Sequence, residues 1–395
     1  MRVPLLLLTL TLGMAGCARH IGSTRPVAPQ APRTHWTLEP SQAFDALAVV
    51  NLLRDDPFYV TRYPEAARRF SERLGPTERR ALEHLTQRLK VQAGEVVPAK
   101  LMLVFSTAQV ATLEDLVRTV EDDAAWGRLR QAYLATSYGE GEDFSEMNDV
   151  REDLRVLLRY LRDIGFAQTW TQEDLPALQR FIEESQPRLS AYDVIALDEE
   201  VLGRRLPTEG ITAYVLRYAK PHGIRVAGWR FVTDVTYPLE VTVKTALHEL
   251  LHPPFTRTGE LHTGLSAMER DPFFQRLVKE HDPAFGYTTP EGLTEEDCAE
   301  AIDVFNAERL GLLRTKTGES LTGAQFFARH DDGIHVVAFI LYQELRRVRD
   351  WSTWKGYEDF LLGLLRDGRL APGQLEATFR SYPDAYEVKA LAGRP

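Results

Sequence analysis

The chain has 395 residues, of which 44% are hydrophobic and 26% are charged, so its composition is that of an ordinary globular protein with one or two domains. The net charge of −10 provides no basic field to attract phosphates, which argues against a nucleic-acid partner. Two cysteines, Cys17 and Cys298, are too few for a framework of disulfide bonds.

The first residues have the pattern of a targeting segment. Arg2 precedes an apolar run over residues 5–12, which is too short to span a bilayer. The sequence Met14-Ala15-Gly16-Cys17 follows, and it resembles the lipobox of bacterial lipoproteins. The resemblance implies that residues 1–16 are a signal peptide and that Cys17 carries a lipid anchor at the bacterial cell envelope. Ala18, rather than an acid, implies the outer membrane, and an ordinary secretory signal is the alternative.

Residues 17–40 predict an extended tether, because prolines recur there among small and polar residues. Residues 41–190 predict a mainly helical region, in which Ser41 caps the first helix. One short apolar run in this region, residues 101–105, is more typical of a buried strand.

Strand signals begin at about residue 191. Residues 191–197, 211–218 and 223–235 are rich in β-branched and aromatic side chains between glycines and prolines. The last two segments predict a hairpin through a turn at residues 220–223. Within the third segment, residues 228–235 predict an edge strand that could pair with an extended substrate backbone.

The next segment contains His248, Glu249 and His252 in the pattern His-Glu-x-x-His. Residues four apart lie on one face of an α-helix, so both imidazoles can bind the same ion. Zinc prefers such ligands, and a catalytic zinc site needs three protein ligands and one open position. The glutamate between the histidines predicts a general base that takes a proton from water. The motif leaves one ligand to be found.

An acidic helix is predicted downstream, with Thr294 as its N-cap. Glu296, Glu300 and Asp303 follow at i, i+4 and i+7, on the side opposite to an apolar stripe. Stacked carboxylates repel one another unless a cation or hydrogen-bond donors compensate them. A zinc ion held by two nearby histidines would provide that compensation, whereas a solvated acidic face is the structural alternative.

Together, His248-Glu249-x-x-His252 and Glu296-x-x-Ala299-Glu300 resemble the gluzincin metallopeptidases, the thermolysin-like zincins. The resemblance covers roughly residues 224–310. It implies that Glu296 is the third zinc ligand and that Glu300 orients a ligand histidine. It also implies one zinc ion per chain and hydrolysis of peptide bonds in a peptide or protein substrate. The family commonly has aspartate at the orienting position, so glutamate at 300 departs from its pattern.

Several assignments stay open at this stage. Glu295 or Glu300 could be the third ligand instead, and His262 could be an irregular one. The metzincin pattern is excluded, because Phe255 and Thr258 occupy its glycine and histidine positions. The residue that stabilises the tetrahedral oxyanion is one of several candidates, namely His262, Tyr287, His330, His335 and Tyr342.

The sequence therefore predicts a helix-rich α+β protein, with a helical region at 41–190 and a zincin-like peptidase domain at 191–395. The predicted function is zinc-dependent peptide hydrolysis at a bacterial envelope membrane. The alternative is a non-catalytic envelope lipoprotein that binds a partner or keeps zinc for structure. A structural site would need a fourth protein ligand, for which His262 and Cys298 are the candidates.

Overall fold

The computed structural model describes residues 32–89, 97–220, 223–281, 287, 289–315, 317–330 and 333–388. These residues form many helices and one mixed sheet of four strands, which confirms the predicted α+β class. The predicted signal peptide and Cys17 lie outside the described residues. Within the described part, no helix has the length and the apolar character needed to cross a bilayer.

The sheet consists of β1 (His35–Pro40), β2 (Gly210–Leu216), β3 (Ile224–Val226) and β4 (Arg230–Asp234). Its spatial order is β1-β2-β4-β3. The first, second and fourth strands run parallel, whereas β3 pairs antiparallel with β4. β3 is therefore an edge strand of the sheet.

The last part of the predicted tether is wrong, because residues 35–40 form β1. Trp36 and Leu38 alternate with exposed residues and point into the core, as a half-buried strand requires. The Trp36 indole Nε1 donates a hydrogen bond to the carbonyl oxygen of Tyr192 at 2.9 Å. The partner strand β2 begins at Gly210, so this pairing is invisible to any local pattern around residue 40.

Four strand predictions also need correction. The hairpin does not join residues 211–218 to 223–235, since it lies within residues 223–235, between β3 and β4. The edge strand is β3 rather than residues 228–235, because β4 is paired on both sides. Residues 191–197 and 101–105 contribute to helices instead of strands. Short apolar runs suit a buried helix and a buried strand equally well, so the residues of each run alone do not choose between them.

The predicted helical region is helical throughout most of its length. Its helices are α1 (Gln42–Leu53), α2 (Pro57–Val60), α3 (Pro64–Ser71), α4 (Pro76–Arg88), α5 (Val97–Phe105), α6 (Leu113–Glu121), α7 (Asp123–Leu134), α8 (Ser145–Asp149), α9 (Arg151–Asp163), α10 (Phe166–Thr169) and α11 (Leu175–Leu189). Ser41 caps α1 as predicted, because its side chain accepts a hydrogen bond from the Phe44 N–H. A π-helical segment, Trp170–Asp174, joins α10 to α11.

The later helices surround the sheet and one another. They are α12 (Val194–Leu202), α13 (Leu239–Glu249), α14 (Gly259–Met268), α15 (Pro272–Glu280), α16 (Pro290–Arg309), α17 (Gly323–Phe327), α18 (Val336–Leu345), α19 (Tyr357–Arg366) and α20 (Leu375–Arg380). The boundary predicted at residue 190 does not separate two compact units, because α11 packs against β1, β2 and α13.

Helix α16 is the acidic helix of the prediction, but it begins earlier than expected. Thr289, not Thr294, is its N-cap, and the Thr289 side chain accepts a hydrogen bond from the Gly292 N–H. Proline at the first position, Pro290, fits this start, since its missing N–H has no partner there in any case. α16 packs between α13 and α18, so even its charged residues Glu300 and Asp303 are buried.

The position of β1 predicts the effect of truncation. We expect a chain that begins at Ser41 to unfold with a free energy about 3–6 kcal/mol lower than a chain that begins at Arg33, because burial of Trp36 and Leu38 contributes roughly 1.5–3 kcal/mol each. Urea denaturation followed by circular dichroism measures the difference. The chain from Arg33 is the control and should match the full-length protein. Equal stability of the two truncated chains would show that residues 33–40 do not stabilise the fold and would support the predicted tether.

Candidate metal centre

Three side chains from α13, the segment after it and α16 meet at one point. His248 Nε2 lies 3.0 Å from His252 Nε2 and 3.1 Å from Glu296 Oε1. The other Glu296 oxygen lies 3.8 Å from His252 Nε2. Tetrahedral zinc with ligands at 2.0–2.1 Å separates neighbouring ligand atoms by about 3.3 Å. The three donors are therefore close enough together to hold one metal ion.

The second histidine lies beyond the helix that carries the first, which differs from the prediction. α13 ends at Glu249, with Leu250 as its cap, before the pair Pro253 and Pro254. The guanidinium of Arg225 caps the end of the helix. Its Nη1 donates to the carbonyl oxygen of Glu249 at 2.5 Å and to that of His252. Those carbonyls have no partner within the helix. Arg225 thus fixes the backbone that carries the second imidazole.

A carboxylate lies close to the Nδ1 atom of each imidazole. His248 Nδ1 lies 2.9 Å from Asp303 Oδ2 and 3.4 Å from Glu300 Oε2. His252 Nδ1 lies 3.3 Å from Glu295 Oε1. A carboxylate on Nδ1 selects the tautomer that leaves Nε2 free to bind a metal. The expected orienting acid, Glu300, is present, but Asp303 is the closer partner of the ligand histidine.

The charges in this cluster favour a divalent cation. Lys244 Nζ lies 2.9 Å from Asp303 Oδ1 and 3.4 Å from Glu300 Oε1. Glu295 and Glu296 lie beside the same imidazoles, so the cluster has four carboxylates and one ammonium group, and a further positive charge would stabilise it. His248, Glu300 and Asp303 form a second metal-like group, but the ammonium of Lys244 already lies against both of its carboxylates. The first group is the better cation site.

The protonation states of Glu296 and His248 bear differently on metal binding. Burial, the largest influence, tends to raise the pKa of Glu296, but the charges of His248 and His252 lower it to about 2. Glu296 is therefore a carboxylate at neutral pH. Burial tends to lower the pKa of His248, yet its contacts with carboxylates raise this pKa well above its usual value. A metal ion must displace a proton from His248, so metal affinity should rise with pH.

The three donors open onto a cavity of about 730 Å³. Glu249 lines this cavity together with both histidines, so the predicted base and ligands share one space. Gly223 allows the close approach of strand and helix, because a Cβ there would lie 2.4 Å from Thr245 Cγ2 and 3.5 Å from Glu249 Oε1. The rest of the wall includes residues of β3, α5 and α16, together with Tyr133, Tyr138 and Glu142. The cavity offers room for a substrate beside the metal donors.

One oxyanion candidate reaches the centre directly. The Tyr287 hydroxyl donates a hydrogen bond to Glu296 Oε1 at 3.3 Å. His335 lies behind it, with its ring 5.1 Å from that of Tyr287 and its Nδ1 2.7 Å from Asp297 Oδ1. His330 Nε2 lies 3.9 Å from Glu300 Oε1.

The remaining oxyanion candidates, Tyr342 and His262, do not reach the centre. The Tyr342 hydroxyl donates to Glu308 Oε2 at 2.6 Å, and His262 is exposed on α14. Cys298 is fully buried on the other side of α16. Neither His262 nor Cys298 belongs to a metal-like group among the residues that the structure describes. The described residues thus offer three possible metal ligands, and one side of this group of donors faces the cavity.

Comparisons with known protein families, curated proteins and solved structures give no match. The resemblance to the gluzincins therefore depends on the motif residues and on the geometry around them. Some residues that hold the centre had a signal in the sequence. Lys244 precedes His248 by one helical turn, and Asp303 follows Glu296 at i+7, so both lie on the faces already identified. Arg225 had no such signal.

The distances predict how the two orienting acids differ. We expect Asp303→Asn to weaken zinc affinity by about 10–100-fold, because the closest acceptor for His248 Nδ1 loses its charge. Glu300→Gln should cost less, since its oxygen is farther from that nitrogen. Competition with a chromophoric chelator measures both, and thermal unfolding checks that each variant is folded. A larger loss of zinc affinity in Glu300→Gln than in Asp303→Asn would make Glu300 the main orienting acid instead.

Proposed function

We propose that this protein is a zinc-dependent peptidase of the bacterial cell envelope. The observation that carries the proposal is the convergence of His248 Nε2, His252 Nε2 and Glu296 Oε1 on the wall of a cavity that Glu249 also lines. Two imidazoles and one carboxylate form the ligand set that catalytic zinc uses in peptidases. The charge of the surrounding cluster supports a divalent ion as well.

The alternative is a structural zinc site in a protein without catalytic activity. A structural site is closed by four protein ligands, whereas a catalytic site keeps a position for water or substrate. There are two candidates for a fourth ligand. His262 is exposed on α14, and Cys298 is buried on the far side of α16. Three ligands beside a cavity favour catalysis.

The proposed mechanism divides the work among residues of this chain. A bound zinc ion supplies Lewis acidity and makes water a stronger nucleophile near neutral pH. Glu249 accepts the proton of the attacking water and then returns it to the leaving nitrogen. Tyr287 donates a hydrogen bond to the oxygen on which negative charge develops. The edge strand β3 pairs with the extended backbone of the substrate.

The proposed location follows from the lipobox resemblance at Met14 to Cys17. A lipid on Cys17 would attach the protein to a membrane, and the residue after it, Ala18, favours the outer membrane. Peptides and proteins of the envelope would then be the accessible substrates.

Replacement of Glu249 by glutamine separates catalysis from metal binding. We expect Glu249→Gln to lower peptide hydrolysis by about 10²–10⁴-fold, because the amide cannot accept the proton. Zinc content should stay at about one ion per chain, since this side chain is not a ligand. Hydrolysis of a peptide mixture, followed by mass spectrometry, and metal analysis provide the two measurements.

Glu240→Gln is the matched control, because it makes the same change nine residues earlier on α13. His252→Ala should lose zinc and activity together. Undiminished hydrolysis by Glu249→Gln would remove its proposed role. Zinc-loaded wild-type protein that cleaves no peptide, and whose zinc has no exchangeable water, would support the structural alternative.

A further inference from the structure

A second cavity of about 770 Å³ adjoins the first cavity, which is the one at the metal centre. Tyr138, Arg225 and His252 line both cavities, so the two spaces meet at the second ligand histidine. A substrate bound at the metal centre can therefore extend into the second cavity, and the groups that line this cavity act on which substrates bind.

The two cavities differ in charge. The first is lined by four carboxylates and two basic groups, namely Glu142, Glu249, Glu295, Glu296, Lys100 and Arg225. The second is lined by three basic groups and two carboxylates, namely Arg204, Arg225, Lys355, Glu358 and Asp359. A concave wall with an excess of one charge concentrates ligands of the opposite charge. The second cavity therefore favours an anionic group, although the chain as a whole has a net charge of −10.

Two of the basic groups in the second cavity are available to a ligand. The side chains of Arg204 and Lys355 are exposed, and neither forms an ion pair or a hydrogen bond with any residue that the structure describes. The guanidinium of Arg225, in contrast, is bound to the carbonyl oxygens of Glu249 and His252. Arg204 and Lys355 are thus the two cations that can contact a bound anion.

The two carboxylates of the second cavity have local partners. Glu358 Oε1 accepts a hydrogen bond from the Thr256 N–H at 2.8 Å. Asp359 lies in the first turn of α19, where a negative charge suits the helix N-terminus. Glu260 and, to a smaller extent, Asp359 raise the pKa of Arg366, which is the cation at the other end of α19. These acids therefore do not cancel the charges of Arg204 and Lys355 by direct contact.

A contact between two backbone turns brings Arg204 close to Lys355. Gly203 ends α12 with a φ of 68°, and Gly356 precedes α19 with a φ of 113°. A Cβ at Gly203 would lie 2.4 Å from Gly356 Cα and 3.3 Å from the carbonyl carbon of Lys355, so the approach requires glycine. Because consecutive Cα atoms are about 3.8 Å apart, the Cα atoms of Arg204 and Lys355 are separated by at most about 12 Å. Two long side chains can reach the same ligand group across that distance.

We infer that the second cavity is the subsite for a carboxylate of the substrate, which Arg204 and Lys355 bind together. The inference rests on the proposed peptidase function and adds a substrate class to it, namely peptides with a negative charge on one side of the cleaved bond. A guanidinium group matches both oxygens of a carboxylate, and an ammonium group adds a second cation at the same place. The carboxylate belongs either to the carboxyl terminus of the peptide or to an acidic side chain.

Peptides that differ in a single charge test the inference. A hexapeptide with an acetylated amino terminus and no acidic residue is compared as its free acid and as its amide. A second series of amides carries glutamate or glutamine at each position in turn. For the zinc-loaded protein, we expect kcat/KM to be about 10-fold or more higher for one carboxylate peptide than for its neutral counterpart, mainly through KM. The series in which this preference occurs identifies the carboxylate as terminal or as a side chain.

Removal and reversal of charge connect the preference to the two cations. In Arg204→Gln and in Lys355→Gln, the ratio of kcat/KM between the carboxylate peptide and the neutral peptide should fall towards one. Lys355→Glu should reverse the preference, in favour of a peptide with lysine at the same position. Zinc content should not change in any of them. Arg205→Gln is the matched control, since this exposed arginine pairs with Glu199 and does not line the cavity.

Binding without cleavage provides a separate measurement. Fluorescence anisotropy of labelled peptides with the zinc-loaded Glu249→Gln protein measures affinity when the proposed base is absent. We expect the carboxylate peptide to bind about 10-fold more tightly than its neutral counterpart, and we expect the difference to shrink at high salt, because the two cations are exposed.

Two results would overturn the inference and leave the proposed function intact. One is cleavage of charged and neutral peptides with equal kcat/KM, together with equal affinities. The other is a preference for carboxylates that persists in both Arg204→Gln and Lys355→Gln. Failure of the zinc-loaded wild-type protein to cleave any peptide would instead overturn the proposed function itself, and the inference with it.

Discussion

The ion cluster between α13 and α16 is the constraint on which the rest of the site depends. Four carboxylates of α16, those of Glu295, Glu296, Glu300 and Asp303, lie close to two imidazoles and one ammonium group from α13 and its end. Charges removed from water are costly unless each one has a close partner of opposite sign. In the observed packing of the two helices, each histidine presents Nδ1 to an acid, and the two Nε2 atoms lie 3.0 Å apart at the centre. The same contacts that stabilise the helix pair thus set the ligand geometry.

Lys244 and a metal ion at the proposed centre would divide the negative charge between them. The ammonium group lies against Asp303 and Glu300, on the side of His248 that faces away from Glu296. The pKa of Glu300 is well below its usual value, because the lysine and histidine charges outweigh the effect of burial. Burial, the largest influence, and the charge of Glu300 raise the pKa of Asp303 to about 6, whereas the charges of Lys244 and His248 oppose this rise. A cation at Nε2 of His248, as proposed, would add positive charge to the same cluster.

The residues that meet at the centre could be predicted from the sequence better than the fold around them. His248 and His252 follow helical spacing, which is a local property, whereas Glu296 was expected from the family resemblance, and the structure brings these three together as possible metal donors. The choice between Asp303 and Glu300 as the orienting acid depends on differences of about half an ångström, which spacing cannot resolve. β1 pairs with a strand about 170 residues later, so its sequence resembles a tether until its partner is known.

Arg225 shows most clearly why part of the site is hidden from the sequence. It belongs to a strand of three residues, and its partners are backbone carbonyl groups, which every residue has. No pattern of side chains in the sequence can therefore predict this interaction. Its consequence is large, because α13 stops before His252 and the second imidazole would otherwise depend on an unsupported segment. The strand proposed to bind substrate thus also anchors the backbone of a proposed metal ligand.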